Sequence, residues 1–191
     1  NDGTLLIDGD DNIELDGQSG SAGCFGTDLE SSSVAGVTIQ ELTFQNFADA
    51  SLCVSGSGWV VKDNHFLATT SDVGAAMHVY GSGHMIRDNN VGLMPDTMTK
   101  SAMYDGIVLH NNSTSTVVRD NYITSGGGCG IKFWNQMGST TIIGNKIGVN
   151  IAGASTGSAV GICDNVGGTY SGLVTIGGDE IVERNVISGM T

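Results

Sequence analysis

The sequence predicts an all-β solenoid, one domain of stacked coils in which short strands are joined by sharp turns. Three observations predict it. An Asn-centred hexapeptide recurs along the chain, a second alternating segment recurs between its copies, and no stretch keeps a 3.6-residue apolar period. Glycine supplies 30 of 191 residues against a single proline, about twice the usual share of roughly 7%. With no Gly-X-Y period a collagen helix is excluded, and corners repeated in every coil are the remaining reason for so much glycine.

The first template is Val61-Lys-Asp-Asn64-His-Phe66, repeated as Ile86-Arg-Asp-Asn89-Asn-Val91, Val118-Arg-Asp-Asn121-Tyr-Ile123, Ile142-Ile-Gly-Asn145-Lys-Ile147 and Val182-Glu-Arg-Asn185-Val-Ile187. Ile39-Gln-Glu-Leu42-Thr-Phe44 fits with Leu in place of Asn. Positions 42, 64, 89, 121, 145 and 185 are 22, 25, 32, 24 and 40 residues apart, so the minimum coil is 22–25 residues and longer steps carry insertions. A coil that short cannot bury its apolar face alone; successive coils must stack. At about 4.8 Å per coil, six or seven coils make a rod of roughly 30–35 Å. Ile39/Val61/Ile86/Val118/Ile142/Val182 and Phe44/Phe66/Val91/Ile123/Ile147/Ile187 then form two interior columns. The Asn column 64/89/121/145/185 suits a left-handed turn in which stacked amides bond to one another or to nearby backbone.

The second template gives a strand opposite these columns. Ser51-Leu52-Cys-Val54, Ala76-Met77-His-Val79, Gly106-Ile107-Val-Leu109, Gly130-Ile131-Lys-Phe133 and Gly161-Ile162-Cys163 alternate apolar with other residues, the period of a strand. Leu52/Met77/Ile107/Ile131/Ile162 point inward. Cys53/His78/Val108/Lys132/Cys163 and, two residues on, Ser55/Tyr80/His110/Trp134/Asn165 point outward.

These segments, with Ile13-Glu-Leu-Asp-Gly17, Gly36–Phe47, and Ile176-Gly-Gly178 leading to Arg184–Gly189, resemble the right-handed parallel β-helix repeat family. The chain is similar to the pectate-lyase-like superfamily of secreted and surface proteins. The resemblance runs from about residue 4 to 189 and implies a right-handed parallel β-helix of about six to seven coils, extracellular or at the cell surface. It is specific for fold and weak for function, because this architecture carries lyases, hydrolases, epimerases, tailspikes, adhesins and scaffolds. A single domain over 1–191 is expected, as a segment of a longer chain. The last repeat stops at Ser188-Gly-Met-Thr191 without a polar cap, which suggests an adjoining protein at an uncapped end.

Seven basic against 20 acidic residues give a net charge of −13. Phosphate affinity is built from clustered cations, so nucleic acid is excluded as a partner, and an anionic membrane would be repelled. No apolar stretch approaches a spanning helix. Cys24, Cys53, Cys129 and Cys163 include no C-x-x-C pair and give no zinc signal; buried thiols are the default, with a Cys24–Cys53 disulfide as the alternative.

Tyr80, His110 and Trp134 would form an exposed ring ladder with His78 and Lys132 alongside. Such a face can hold a polysaccharide, the rings carrying sugar faces while His and Lys hydrogen-bond. The competing reading is cross-strand packing alone. The 32-residue step inserts Gly92–Tyr104 beside these strands, which adds Asp96, Lys100, Tyr104 and Asp105 to the candidates. A lyase or epimerase would use Lys132 or His110 as base with Tyr80 nearby, and a hydrolase would use Asp105 with Asp164. The signatures of such enzymes are missing: Gly83-His84 is followed by Met, and neither the Asn-Thr-Asp nor the Asp-Pro-His motif occurs. Asp63/Asp88/Asp120 beside Lys62/Arg87/Arg119 reads as a charge ladder. Asp8, Asp10 and Asn12 begin like a calcium loop, but Ile13 stands where the loop needs Gly and Ser19 where it needs Glu; a weak calcium site is the most they offer. The expected function is a surface segment of adhesin, filament or scaffold type with a glycan- or partner-binding face, the alternative being a polysaccharide-processing enzyme on that same face.

Overall fold

The computed structural model describes residues 5–17, 24–25, 35–67, 69, 74–96, 99–101, 103–110, 112–135, 138–165 and 172–190, without the side chains of Asp11 and Asn12. β1 (Leu5–Asp16) lies parallel to β2 (Val37–Gln45), with one register shift between Asp8 and Ile13. Above β2 each rung divides into three strands. The first series is β4 (Val60–Lys62), β7 (Met85–Arg87), β10 (Thr116–Arg119), β13 (Thr140–Ile143) and β16 (Val174–Ile176). The second is β5 (His65–Phe66), β8 (Asn90–Val91), β11 (Tyr122–Ile123), β14 (Lys146–Ile147) and β17 (Val186–Ile187). The third forms a separate sheet from β3 (Ala50–Val54), β6 (Ala75–Val79), β9 (Asp105–His110), β12 (Cys129–Trp134) and β15 (Val160–Asn165). Every pairing between these strands is parallel, and the rungs from β1 to β16 and β17 make seven coils among the described residues.

The core runs up the middle as columns. Phe44 sits opposite Phe66, Phe66 opposite Val91, and so on through Ile123 and Ile147 to Ile187. The Phe44 and Phe66 rings stack at 4.7 Å. Leu52, Met77, Ile107 and Ile131 face them, fully buried. The remaining column holds as predicted up to Ile142, but its top is Ile176 and not Val182. The chain leaves β16, turns out through Gly177 and forms a 3₁₀ turn at Ile181–Glu183, which leaves Val182 79% exposed. It rejoins the template at Asn185.

The asparagine column is a continuous amide ladder. Each Oδ1 accepts from both the backbone N–H and the Nδ2 of the Asn one coil below: Asn89 receives Asn64, Asn121 receives Asn89, Asn145 receives Asn121 and Asn185 receives Asn145, all at 2.9–3.1 Å. Each Nδ2 also donates to a backbone carbonyl of the preceding coil, as Asn121 does to Ile86. Leu42 ends the ladder because only its backbone N–H is needed there, donated to Asn64 Oδ1. The left-handed turn falls one residue earlier than predicted. Glu41, Asp63, Asp88 and Asp120 have φ of 55–57°, and Gly144 takes the same place at 68°. The positive φ turns the corner, and the Asn after it stays free to point its amide inward.

The charge ladder is built within each corner, Lys62 to Asp63, Arg87 to Asp88 and Arg119 to Asp120. These pairs are solvated and contribute little stability. The cysteines are all oxidised, against the default expectation of buried thiols; the alternative, a Cys24–Cys53 disulfide, is present, and Cys129–Cys163 was not foreseen. Cys24–Cys53 and Cys129–Cys163 join positions 29 and 34 residues apart. In the chain-entropy account, loops of that size contribute about 3.5 kcal/mol each.

Removing one rung of the ladder orphans several buried groups together. Asn121→Ala leaves the Asn89 backbone N–H without its acceptor, Asn145 Oδ1 without its side-chain donor and the carbonyl of Ile86 without its Asn donor. Urea denaturation is expected to show a loss of about 3–5 kcal/mol, against about 1 kcal/mol for Asn185→Ala at the partly exposed end.

Candidate functional site

The third sheet carries the candidate face. Its register sets Cys53, His78, Val108, Lys132 and Cys163 in one outward column. Two residues on, Trp134 lies opposite His110 and Asn165. The rings close on one another: Tyr80 stacks on His110 at 4.1 Å and 20°, His78 meets His110 edge-on at 4.9 Å, and Trp134 tilts toward His110 at 6.2 Å. Beside them opens a cleft of about 370 Å³ lined by Asp49, Tyr104, Asp105, Lys132 and these rings other than Tyr80, with Val108 as its floor.

Asp105, at the start of β9, is the fixed point of this cleft. It is 3% exposed, and both carboxylate oxygens are engaged: Oδ1 accepts the Cys129 backbone N–H at 2.7 Å, and Oδ2 accepts Lys132 Nζ at 2.8 Å. The ammonium of Lys132 also sits 4.9 Å from the centre of the Trp134 ring. Glycine is required at 128 by close approach, since a Cβ there would lie 2.1 Å from Asp105 Oδ1 and 2.9 Å from the Tyr104 ring. The Cys129–Cys163 disulfide anchors the donor residue of this clamp to the next coil.

Burial disfavours the charged form of the cleft histidines, His78 and His110. Burial, reinforced by His78, pushes His110 down to about 4, and its Nε2 is buried without a hydrogen-bond partner. Burial also lowers His78, with a smaller push from Lys132, against the opposing fields of Asp49 and Asp105. A neutral imidazole offers one donor and one acceptor, the pattern that hydroxyl ligands use. His84 is lowered by burial as well, but it serves the frame: Nδ1 accepts Trp59 N–H and Nε2 donates to the Tyr80 carbonyl.

Of the residues singled out from sequence, His78, His110, Lys132, Trp134, Tyr104 and Asp105 meet in the cleft, and Tyr80 adjoins it through His110. The ladder is less exposed than expected, because Tyr80 and His110 are half-buried by their own stacking and only Trp134, at 38%, is open. Val108, counted outward, is buried under the cleft. Asp96 and Lys100 stay outside it: Asp96 caps its own turn by accepting from Thr99, and Lys100 donates to the Gly157 carbonyl. Asp164 stands opposite Phe133 in an inward column, so the Asp105/Asp164 pair is not assembled at the cleft. Asp49 was missed, since it belongs to neither template; it occupies the turn before β3, where the next coils have Gly74 and Tyr104. Asp8 and Asp10 lie at the β1 bulge, with Asp8 accepting from the Asp10 N–H and from Gln40; Asn12 lies outside the described side chains. Among the described residues, no three His, Cys, Asp or Glu side chains converge as metal ligands would.

A family model for the right-handed β-helix region matches residues 1–147, and the same strand register continues beyond it to Ile187. No curated protein and no solved structure matches the chain.

The three lowered histidines give a pH dependence with a definite sign. The unfolded chain binds protons below about pH 6.5 while the folded one resists, so stability is intact above that value and falls as the pH drops toward 4. Urea midpoints for the parent and His110→Asn, compared across that window, are expected to fall less steeply in the variant.

Proposed function

The chain belongs to the right-handed β-helix family, and on that premise we propose that it is an extracellular or cell-surface rod whose third sheet holds a glycan. The observation that carries this reading is the Tyr80/His110/Trp134 ring ladder on the edge of the cleft, set on strands whose register the amide ladder fixes. Trp134 offers an open ring face of the kind that carries a sugar, and His78 and Tyr104 bring hydrogen-bonding groups to the same cleft. Two disulfides fit an oxidising compartment.

The geometry favours holding a glycan over cleaving it. Lys132 is already engaged, its Nζ donating to Asp105 Oδ2 at 2.8 Å, and Asp105 has neither oxygen free for acid or base work. His110, pushed down to about 4, is largely deprotonated at neutral pH and too weakly basic to abstract a carbon-bound proton efficiently.

A glycan array with the parent chain, Tyr80→Ala and Trp134→Ala tests the reading. Binding by the parent that weakens at least tenfold in Trp134→Ala, with unchanged circular dichroism, is expected; a parent that binds no glycan sinks it. Incubation with uronate polymers, followed by the absorbance of unsaturated sugars, is expected to show no turnover. Turnover that disappears in Lys132→Ala would move the assignment to a lyase.

A further inference from the structure

Resting on the glycan reading above, we infer that the cleft selects an amino sugar, with Asp49 reading its ammonium group. The argument is a charge balance inside the cleft. Among the described residues Lys132 is its one cation, and Asp105 already meets that charge at 2.8 Å in a pair 17% and 5% exposed at the two side chains. Asp105 is closed to a ligand by the same contacts. Asp49 is left: an exposed carboxylate on the cleft wall with no hydrogen-bond or ion-pair partner among the described residues, its field falling on His78. The neutral histidines do not offset it. The cleft therefore carries one uncompensated negative charge inside a chain of −13.

That field repels uronates and sulfated sugars and draws a cation toward Asp49. The ring ladder adds that the cation should belong to a molecule with flat apolar faces, which a protonated aminohexose has and a polyamine lacks. Asp49 precedes β3, and Trp134 ends β12, three rungs away, about 14 Å along the stack. The register sets Asp49 level with Tyr104 and Trp134 level with His110, about 20 Å further along the strands, so a ligand touching both is an oligomer crossing the third sheet diagonally, one sugar resting on Trp134 and an ammonium-bearing sugar at Asp49.

Calorimetric titration with the trimers of glucosamine, N-acetylglucosamine and galacturonate, and with trilysine, tests this at low salt and near pH 6, above the value of about 4 for His110. The glucosamine trimer is expected to bind about fivefold more tightly than its acetylated form. Asp49→Asn should erase that difference by weakening the glucosamine trimer, and added salt should shrink it. Equal binding of the two trimers, a preference that survives Asp49→Asn, or a preference for galacturonate overturns the amino-sugar inference and leaves glycan binding standing. Trilysine matching the glucosamine trimer, with Trp134→Ala indifferent to both, also overturns it, as a bare cation site. No binding of any sugar defeats the underlying glycan reading itself.

Discussion

The amide ladder from Asn64 to Asn185 is the interaction on which the rest of the structure depends. A solenoid of parallel strands has a weak point that a closed barrel lacks, because each coil can slip against the next and turn its core face outward. Apolar columns alone tolerate such a slip, since one aliphatic residue replaces another. A buried amide that accepts two bonds from the coil below and donates to its carbonyls does not. One Asn in each coil from Asn64 to Asn185, preceded in all but the last by a corner residue with positive φ, therefore fixes the register of the stack above β2.

The candidate site is a consequence of that register on another sheet. His78, Val108 and Lys132 become neighbours because β6, β9 and β12 stack without offset, and the insertion after Gly92 delivers Tyr104 and Asp105 to the same edge. Asp105 then joins the outward face to the frame. It takes its bonds from a backbone amide next to a disulfide and from Lys132, so the cation of the cleft is positioned by the fold and not by a flexible side chain. The two cystines bracket the column at Cys53 and Cys163 and close the rungs at either end of the cleft.

Most of this was legible in the sequence because a solenoid turns sequence period into spatial contact. The Asn-to-Asn spacing places columns, and alternation in the second template separates His78 from Met77 without knowledge of any angle. Where several residues share a corner, the period says nothing about which one bends the chain, so the positive φ of Asp63, Asp88 and Asp120 was assigned to their Asn neighbours. Val182 was misplaced because its hexapeptide fits the template while the 3₁₀ turn, formed after Gly177, is invisible to period. Cys129 lies outside the second template's outward column, so its pairing with Cys163 could not be read from the strand alternation. Asp49 carries no repeat at all.

Trp134 and Trp59 give the central claim a direct optical test, since the first is 38% exposed on the ladder and the second is fully buried in the core. Intrinsic tryptophan fluorescence titrated with oligosaccharides should change saturably, from Trp134 alone, and the change should vanish in Trp134→Phe while Trp59 emission stays constant. A signal that persists in that variant, or a parent spectrum indifferent to every sugar, would contradict a glycan site on this face.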